Sequence, residues 1–150
     1  CDTVLCANVV YGLVDVVPFV RKLEAHARDQ VLVLASMRSP LTQVSGLWEA
    51  LYGEPRANLP GVPELLEVLW EMGIYPDVSM IDARRSTTAR DRSAAVEMLM
   101  DLLYVVPGSP AEARLQALLP DWLIETPDGY ALRDAPARRQ ALIAWSPARG

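Results

Sequence analysis

Two short, almost unbroken apolar runs flank one amphipathic stretch near the start of the chain, and few folds accept that arrangement. Residues 3–8 read Thr-Val-Leu-Cys-Ala-Asn and residues 31–35 read Val-Leu-Val-Leu-Ala. Runs without polar alternation are the pattern of strands covered on both faces in a parallel sheet. Parallel neighbours need a right-handed crossover between them. Here Val16, Phe19, Val20, Leu23 and Ala27 recur at helical spacing, with Arg21, Lys22, Glu24 and Arg28 on the opposite side. Asp15 is a good N-cap and Pro18 is tolerated in a first turn, so a helix is expected over residues 15–30. In open α/β sheets the ligand crevice lies beyond the carboxyl ends of the strands. That rule points to residues 6–15 and 36–40.

The rest of the chain extends the alternation. Leu47, Trp48, Leu51 and Tyr52 predict a helix over residues 41–52, ended by Gly53, and residues 54–61 form a Pro/Asn/Gly loop. Pro63 opens a further helix and Gly73 closes it, with Leu65, Leu66, Leu69 and Trp70 as its buried face. Residues 76–81 read as a strand and residues 84–88 as a polar linker. Thr88 is expected to cap a helix buried through Ala95, Met98, Leu99, Leu102 and Leu103. Ser109 and Glu112 form a capping box for a short helix through Leu119. Asp128-Gly129 sits between two apolar runs, a hairpin signal, and residues 140–145 read as a last strand. The expected organisation is one domain: a β-α-β-α-β core over 1–83, a helical segment over 84–119, and a hairpin with the last strand over 120–150. The fold class is α/β.

Composition excludes several functions. An apolar fraction of 51% is that of a globular protein, and no window is long enough to span a bilayer. A soluble, cytoplasmic protein is expected, with no membrane partner. Nineteen acidic residues outnumber fourteen basic ones, which argues against a nucleic-acid partner because phosphate binding needs a clustered basic face. The one basic cluster, Arg84, Arg85, Arg90 and Arg92, also holds Asp82 and Asp91 and reads as a solvated linker. Cys1 and Cys6 fall on opposite faces of one strand, so no disulfide is expected. The single histidine, His26, lies on the crossover helix, and no metal site is expected.

Motifs of catalysis are missing. The glycines form neither a G-x-G-x-x-G turn nor a P-loop, and no G-x-S-x-G elbow occurs. Cys6 has no evident base or cation to activate it. The acidic residues are scattered, so no carboxylate pair stands out, and no catalytic residue is nominated.

A resemblance adds what the residues alone do not. The run from Asp2 to Tyr11, followed by Val14-Asp15 and by Pro18 to Leu23, resembles the fourth strand and following helix of class I S-adenosylmethionine-dependent methyltransferases. There a D-x-V-x-x-x-x-V-x-Y/H run precedes a helix and a fifth strand, here residues 31–35. Trp48 with Leu51-Tyr52-Gly53-Glu54-Pro55 is similar to a W-x-x-L-H/Y-G-E-P segment of some members. Residues 64–73 resemble the helix before the sixth strand, and residues 140–145 the antiparallel seventh. The resemblance implies a partial Rossmann-like three-layer sandwich: a mostly parallel sheet of order 4-5-7-6 with helices on both faces. It also implies that Cys6, Ala7 and Asn8 border the methionine part of the cofactor, and that Asn8 and Tyr11 border the transfer site. Trp48 and Tyr52 would cover the acceptor pocket. Where many relatives carry His, this chain has Tyr11-Gly12, so no general base is carried over.

The family's glycine-rich loop and its acidic ribose-binding residue are not in these residues, and the chain has no initiator Met. It therefore reads as the carboxyl-terminal half of such an enzyme, inactive alone and holding no S-adenosylmethionine alone. The expected acceptor is a small molecule. The competing expectation is a non-enzymatic α/β module. Either way, residues 3–8 would form a bare strand edge, and edge pairing predicts a homodimer.

Overall fold

The computed structural model describes residues 1–84 and 89–148. In chain order the elements are β1 (Thr3–Ala7), α1 (Val16–His26), β2 (Gln30–Ser36), α2 (Ser45–Tyr52), α3 (Val62–Glu71), β3 (Asp77–Arg84), α4 (Arg92–Leu102), α5 (Pro110–Trp122), β4 (Leu123–Thr126), β5 (Gly129–Leu132) and β6 (Arg138–Trp145). Single 3-10 turns occupy Val10–Gly12 and Pro40–Val44. The chain divides into two compact units: Cys1–Ser39, Leu59–Arg84 and Arg138–Gly150 make the first, Pro40–Asn58 and Arg85–Ala137 the second.

The first unit is a four-stranded sheet of order β1-β2-β6-β3 with α1 and α3. β1 and β2 pair in parallel, with Cys6 opposite Val33. β6 pairs antiparallel with β2 on one side and with β3 on the other. Only one of the three ladders is parallel, so the sheet is mixed. The mostly parallel, Rossmann-like sheet expected above is overturned, because the strand seated between β2 and β3 runs against both.

Helices on both faces are overturned as well. Val31, Val33 and Ala35 of β2 share a face with Cys6, Ala141 and Ile143 through the ladder register and the alternation of side chains. These residues pack in one core with Val20 of α1 and with Val62, Leu65 and Leu69 of α3. Both helices therefore cover the same side. On the other side Leu5 is 66% exposed. Within this unit the layers number two, not three.

Helix α1 starts as expected, the Asp15 side chain accepting from Val17 N–H at 3.1 Å. It stops at His26, short of residue 30. The N–H groups of Arg28, Asp29 and Gln30 donate to the carbonyls of Cys1, Asp2 and Asp2, which ties the helix exit to the start of β1 instead. Helix α3 begins at Gly61, and a Cβ there would lie 2.3 Å from the Met37 carbonyl oxygen. Two backbones touch at that point, so only glycine fits.

The second unit is built from α2, α4 and α5 with the β4–β5 hairpin. Val44, Leu47, Leu51, Leu99, Leu103, Leu115 and Leu119 form its core. Gly46 allows α2 to approach α5 closely, since a Cβ there would meet the Trp122 ring at 2.9 Å. The expected hairpin forms, but its two-residue turn is Pro127-Asp128, and Gly129, at φ 127°, is already the first residue of β5, paired with Thr126. Ser109 caps α5 by accepting from Glu112 N–H at 3.3 Å, while the Glu112 carboxylate turns to Gly108 N–H at 2.6 Å. Helix α4 is capped by Asp91, whose side chain accepts from Ala94 N–H at 2.9 Å. Thr88, the cap expected from sequence, lies outside the described residues, as do Arg85 and the side chain of Arg84 in the basic cluster. Among the described residues no helix is long and apolar enough to cross a membrane.

Candidate functional site

β1 ends at Ala7, and its ladder continues one step as Asn8 N–H donates to the Leu34 carbonyl at 2.9 Å. Asn8 then takes φ 57°, a left-handed conformation that few non-glycine residues adopt and asparagine tolerates best. That reversal brings the following 3-10 turn back over the strand ends. Tyr11, on that turn, donates its hydroxyl proton to Asn8 Oδ1 at 3.3 Å and accepts from the N–H of Ser36, the last residue of β2. From β6, Gln140 Nε2 donates to the same Asn8 oxygen at 3.2 Å. Ser36 is 1% exposed, and its hydroxyl accepts from Arg138 Nε at 3.1 Å.

The turn and β6 thus meet on the Asn8 amide oxygen, and β2 joins them through Ser36 N–H on Tyr11. With Asn8 Oδ1 accepting from Tyr11 and Gln140, Nδ2 is the amide's remaining donor. Asn8 itself is exposed. The crevice therefore presents an N–H donor at the carboxyl end of a parallel strand pair, where open sheets hold their ligands. This suits an oxygen acceptor on a ligand. Neither a nucleophile nor a general base is part of the network.

Of the residues singled out from sequence, Asn8 and Tyr11 are brought together. Cys6 is not available at the crevice. It is 6% exposed on the helix-covered face, and burial pushes its thiol pKa up, an effect partly offset by the Val9 N–H. Ala7 is exposed on the opposite face of β1. Ser36 lies in the stretch 36–40 to which the strand-end rule points but was not nominated as a site residue, nor were Arg138 and Gln140. Ser36 closes an apolar run much as Asn8 does, and that signal could have marked it.

Trp48 and Tyr52 belong to the second unit and form a cluster of their own. Their rings lie 4.5 Å apart, and Tyr104 approaches Trp48 edge-on at 6.4 Å. The Arg56 guanidinium stands 4.6 Å over the Trp48 ring, within cation–π range. Tyr52 donates to the Leu103 carbonyl at 2.7 Å and Arg56 to the Leu102 carbonyl at 3.1 Å. Both contacts satisfy carbonyls that the end of α4 leaves open. Trp48 Nε1 is buried without a hydrogen-bond partner among the described residues.

Among the described residues no group of three His, Cys, Asp or Glu is placed to hold a metal ion. No protein-family model matches the sequence, and no curated protein matches it.

Proposed function

We propose that this chain supplies the acceptor side of an S-adenosylmethionine-dependent methyl-transfer site, acting on a small molecule, and that it transfers no methyl group alone. The observation that carries the reading is the amide of Asn8, fixed by Tyr11 and Gln140 at the carboxyl end of β1. This is the position at which the sequence resemblance expects contact with the methionine end of the cofactor and with the acceptor. The residues present fit that end of the cofactor and no more. An outward amide suits a carboxylate or hydroxyl oxygen, whereas no glycine-rich turn or ribose-binding acid is supplied by these strands. Asn8 and Tyr11 are therefore read as orienting groups, with Ala7 as backbone wall and Cys6 behind it.

Calorimetry tests this reading. S-adenosylmethionine titrated into the 150-residue chain is expected to give no saturable heat at millimolar concentration. The same chain carried on its native upstream sequence is expected to bind, and Asn8→Ala in that longer protein to lower methyl transfer. Tight binding by the chain alone would remove the half-site claim, and failure of the longer protein to bind would remove methyl transfer.

A second reading, compatible with the first, is association through a strand edge. Among the described residues β1 pairs with β2 alone, and its Leu5 is 66% exposed on the open face. A bare edge of this kind invites pairing with another copy. A homodimer is expected in light scattering, reverting to monomer on Leu5→Lys; a wild-type monomer at high concentration sinks it.

A further inference from the structure

Beside the strand-end network, the first unit encloses a separate cavity of about 190 Å³. Its walls are Val10, Leu13 and Val14 from the turn after β1 and Leu65 and Val68 from α3, with Glu64 at one side. Val10 and Leu65 are buried in the core, whereas Val14 is fully exposed, so the cavity opens to solvent at one rim. The volume exceeds that of an apolar cavity of about 150 Å³ known to take up benzene. It has room for one six-membered ring.

Charge decides which ring. Glu64 Oε2 accepts from Gly61 N–H at 2.7 Å, fixing the carboxylate beside the cavity. That bond and its own backbone N–H hold the Glu64 pKa below the ordinary glutamate range, so the group is charged at neutral pH. The α3 N-terminus offsets only about half a charge. No basic side chain is among the residues that line the cavity.

We propose that this cavity is a binding site for a single apolar ring carrying a cationic amine, the ring against Val10, Leu13, Leu65 and Val68 and the ammonium toward Glu64. The site lies apart from the Asn8 network and does not rest on the methyl-transfer reading. The three probes are benzylamine, benzyl alcohol and benzoate, titrated into the full chain at pH 7 and followed through methyl resonances in NMR. Benzylamine is expected to saturate in the millimolar range and to shift the methyls of Val10, Leu13, Leu65 and Val68. Benzyl alcohol should bind about threefold more weakly, as expected for a solvent-accessible charge contact, and benzoate more weakly still. Glu64→Gln keeps a capping side chain at the same position, so the helix is retained while the preference for benzylamine over benzyl alcohol disappears. Val68→Trp fills the cavity and abolishes all three. No saturation, shifts confined to other methyls, or equal affinity for benzylamine and benzoate would each overturn the proposal.

Discussion

Asn8 and Tyr104 adopt nearly the same left-handed backbone, at φ 57° and 54°, in two different units. Tyr104 follows the end of α4, where a left-handed residue is the usual helix stop and glycine the usual choice. Its strain is offset locally: the ring packs against Trp48 and lies under Arg56. Tyr52 and Arg56 in that cluster end on backbone carbonyls that the helix would otherwise leave open. Asn8 ends a strand, which requires no such reversal. Its side chain is gripped by two other side chains, and the result is an outward donor rather than a finished helix. One region spends its strain on architecture, the other on orientation. The aromatic residues at helical spacing clasp a helix end, whereas the asparagine ties a strand end to a turn and to β6.

Substitutions can break this contrast. The largest effect is expected from Gly61→Ala, because the new Cβ collides with the Met37 carbonyl and one backbone must move; about 3 kcal/mol of stability should be lost in urea unfolding. Tyr11→Phe strips the acceptor from the Ser36 N–H, a buried donor, and should cost about 2 kcal/mol while releasing the Asn8 amide. If its cost matched that of an exposed tyrosine, the strand-end network would be ornamental. Tyr52→Phe removes one bond to the Leu103 carbonyl, for about 1 kcal/mol, and should leave cofactor binding by the longer protein unchanged. A binding defect there would return Tyr52 to the pocket.

Asn8→Gly separates stability from function. Glycine relieves the left-handed strain and forfeits two side-chain bonds, so stability should move by no more than about 0.5 kcal/mol. Cofactor binding by the longer protein should still weaken. The smallest effect concerns pH. The folded state holds Glu64 below its ordinary range, so its stabilising contribution is complete at neutral pH and is lost as acid carries the carboxyl down through its folded-state pKa. Glu64→Gln should flatten acid-side stability over that interval, measured by thermal melts across pH.

The sequence made some of this legible and left the rest hidden for identifiable reasons. Apolar runs and helical spacing located β1, α1, β2, α3 and the hairpin, since burial periodicity is local information. Strand direction is not local. Periodicity within residues 138–145 does not say that they enter between β2 and β3; the order 4-5-7-6 with an antiparallel seventh strand came from the resemblance alone, and that order is the one observed, with two of the three ladders antiparallel. Leu5, Leu32 and Leu34 are as apolar as Val31 and Val33, so the pattern implied two covered faces where one is covered. Asn8 stood out as a polar residue closing an apolar strand. Its partner Gln140 could not, because their meeting depends on register.

The placement of β6 also orders events in time. Among the described residues β3 pairs with β6 alone, and β2 lacks its second neighbour until β6 arrives. The β1–α1–β2 crossover can form from nearby contacts, but the sheet closes only by pairing segments far apart in the chain, the slow kind of step. During synthesis the inner edge of β2 and the edge of β3 that β6 takes would wait, unpaired, until β6 emerged. A chaperone or a partner strand would find its opening in that interval.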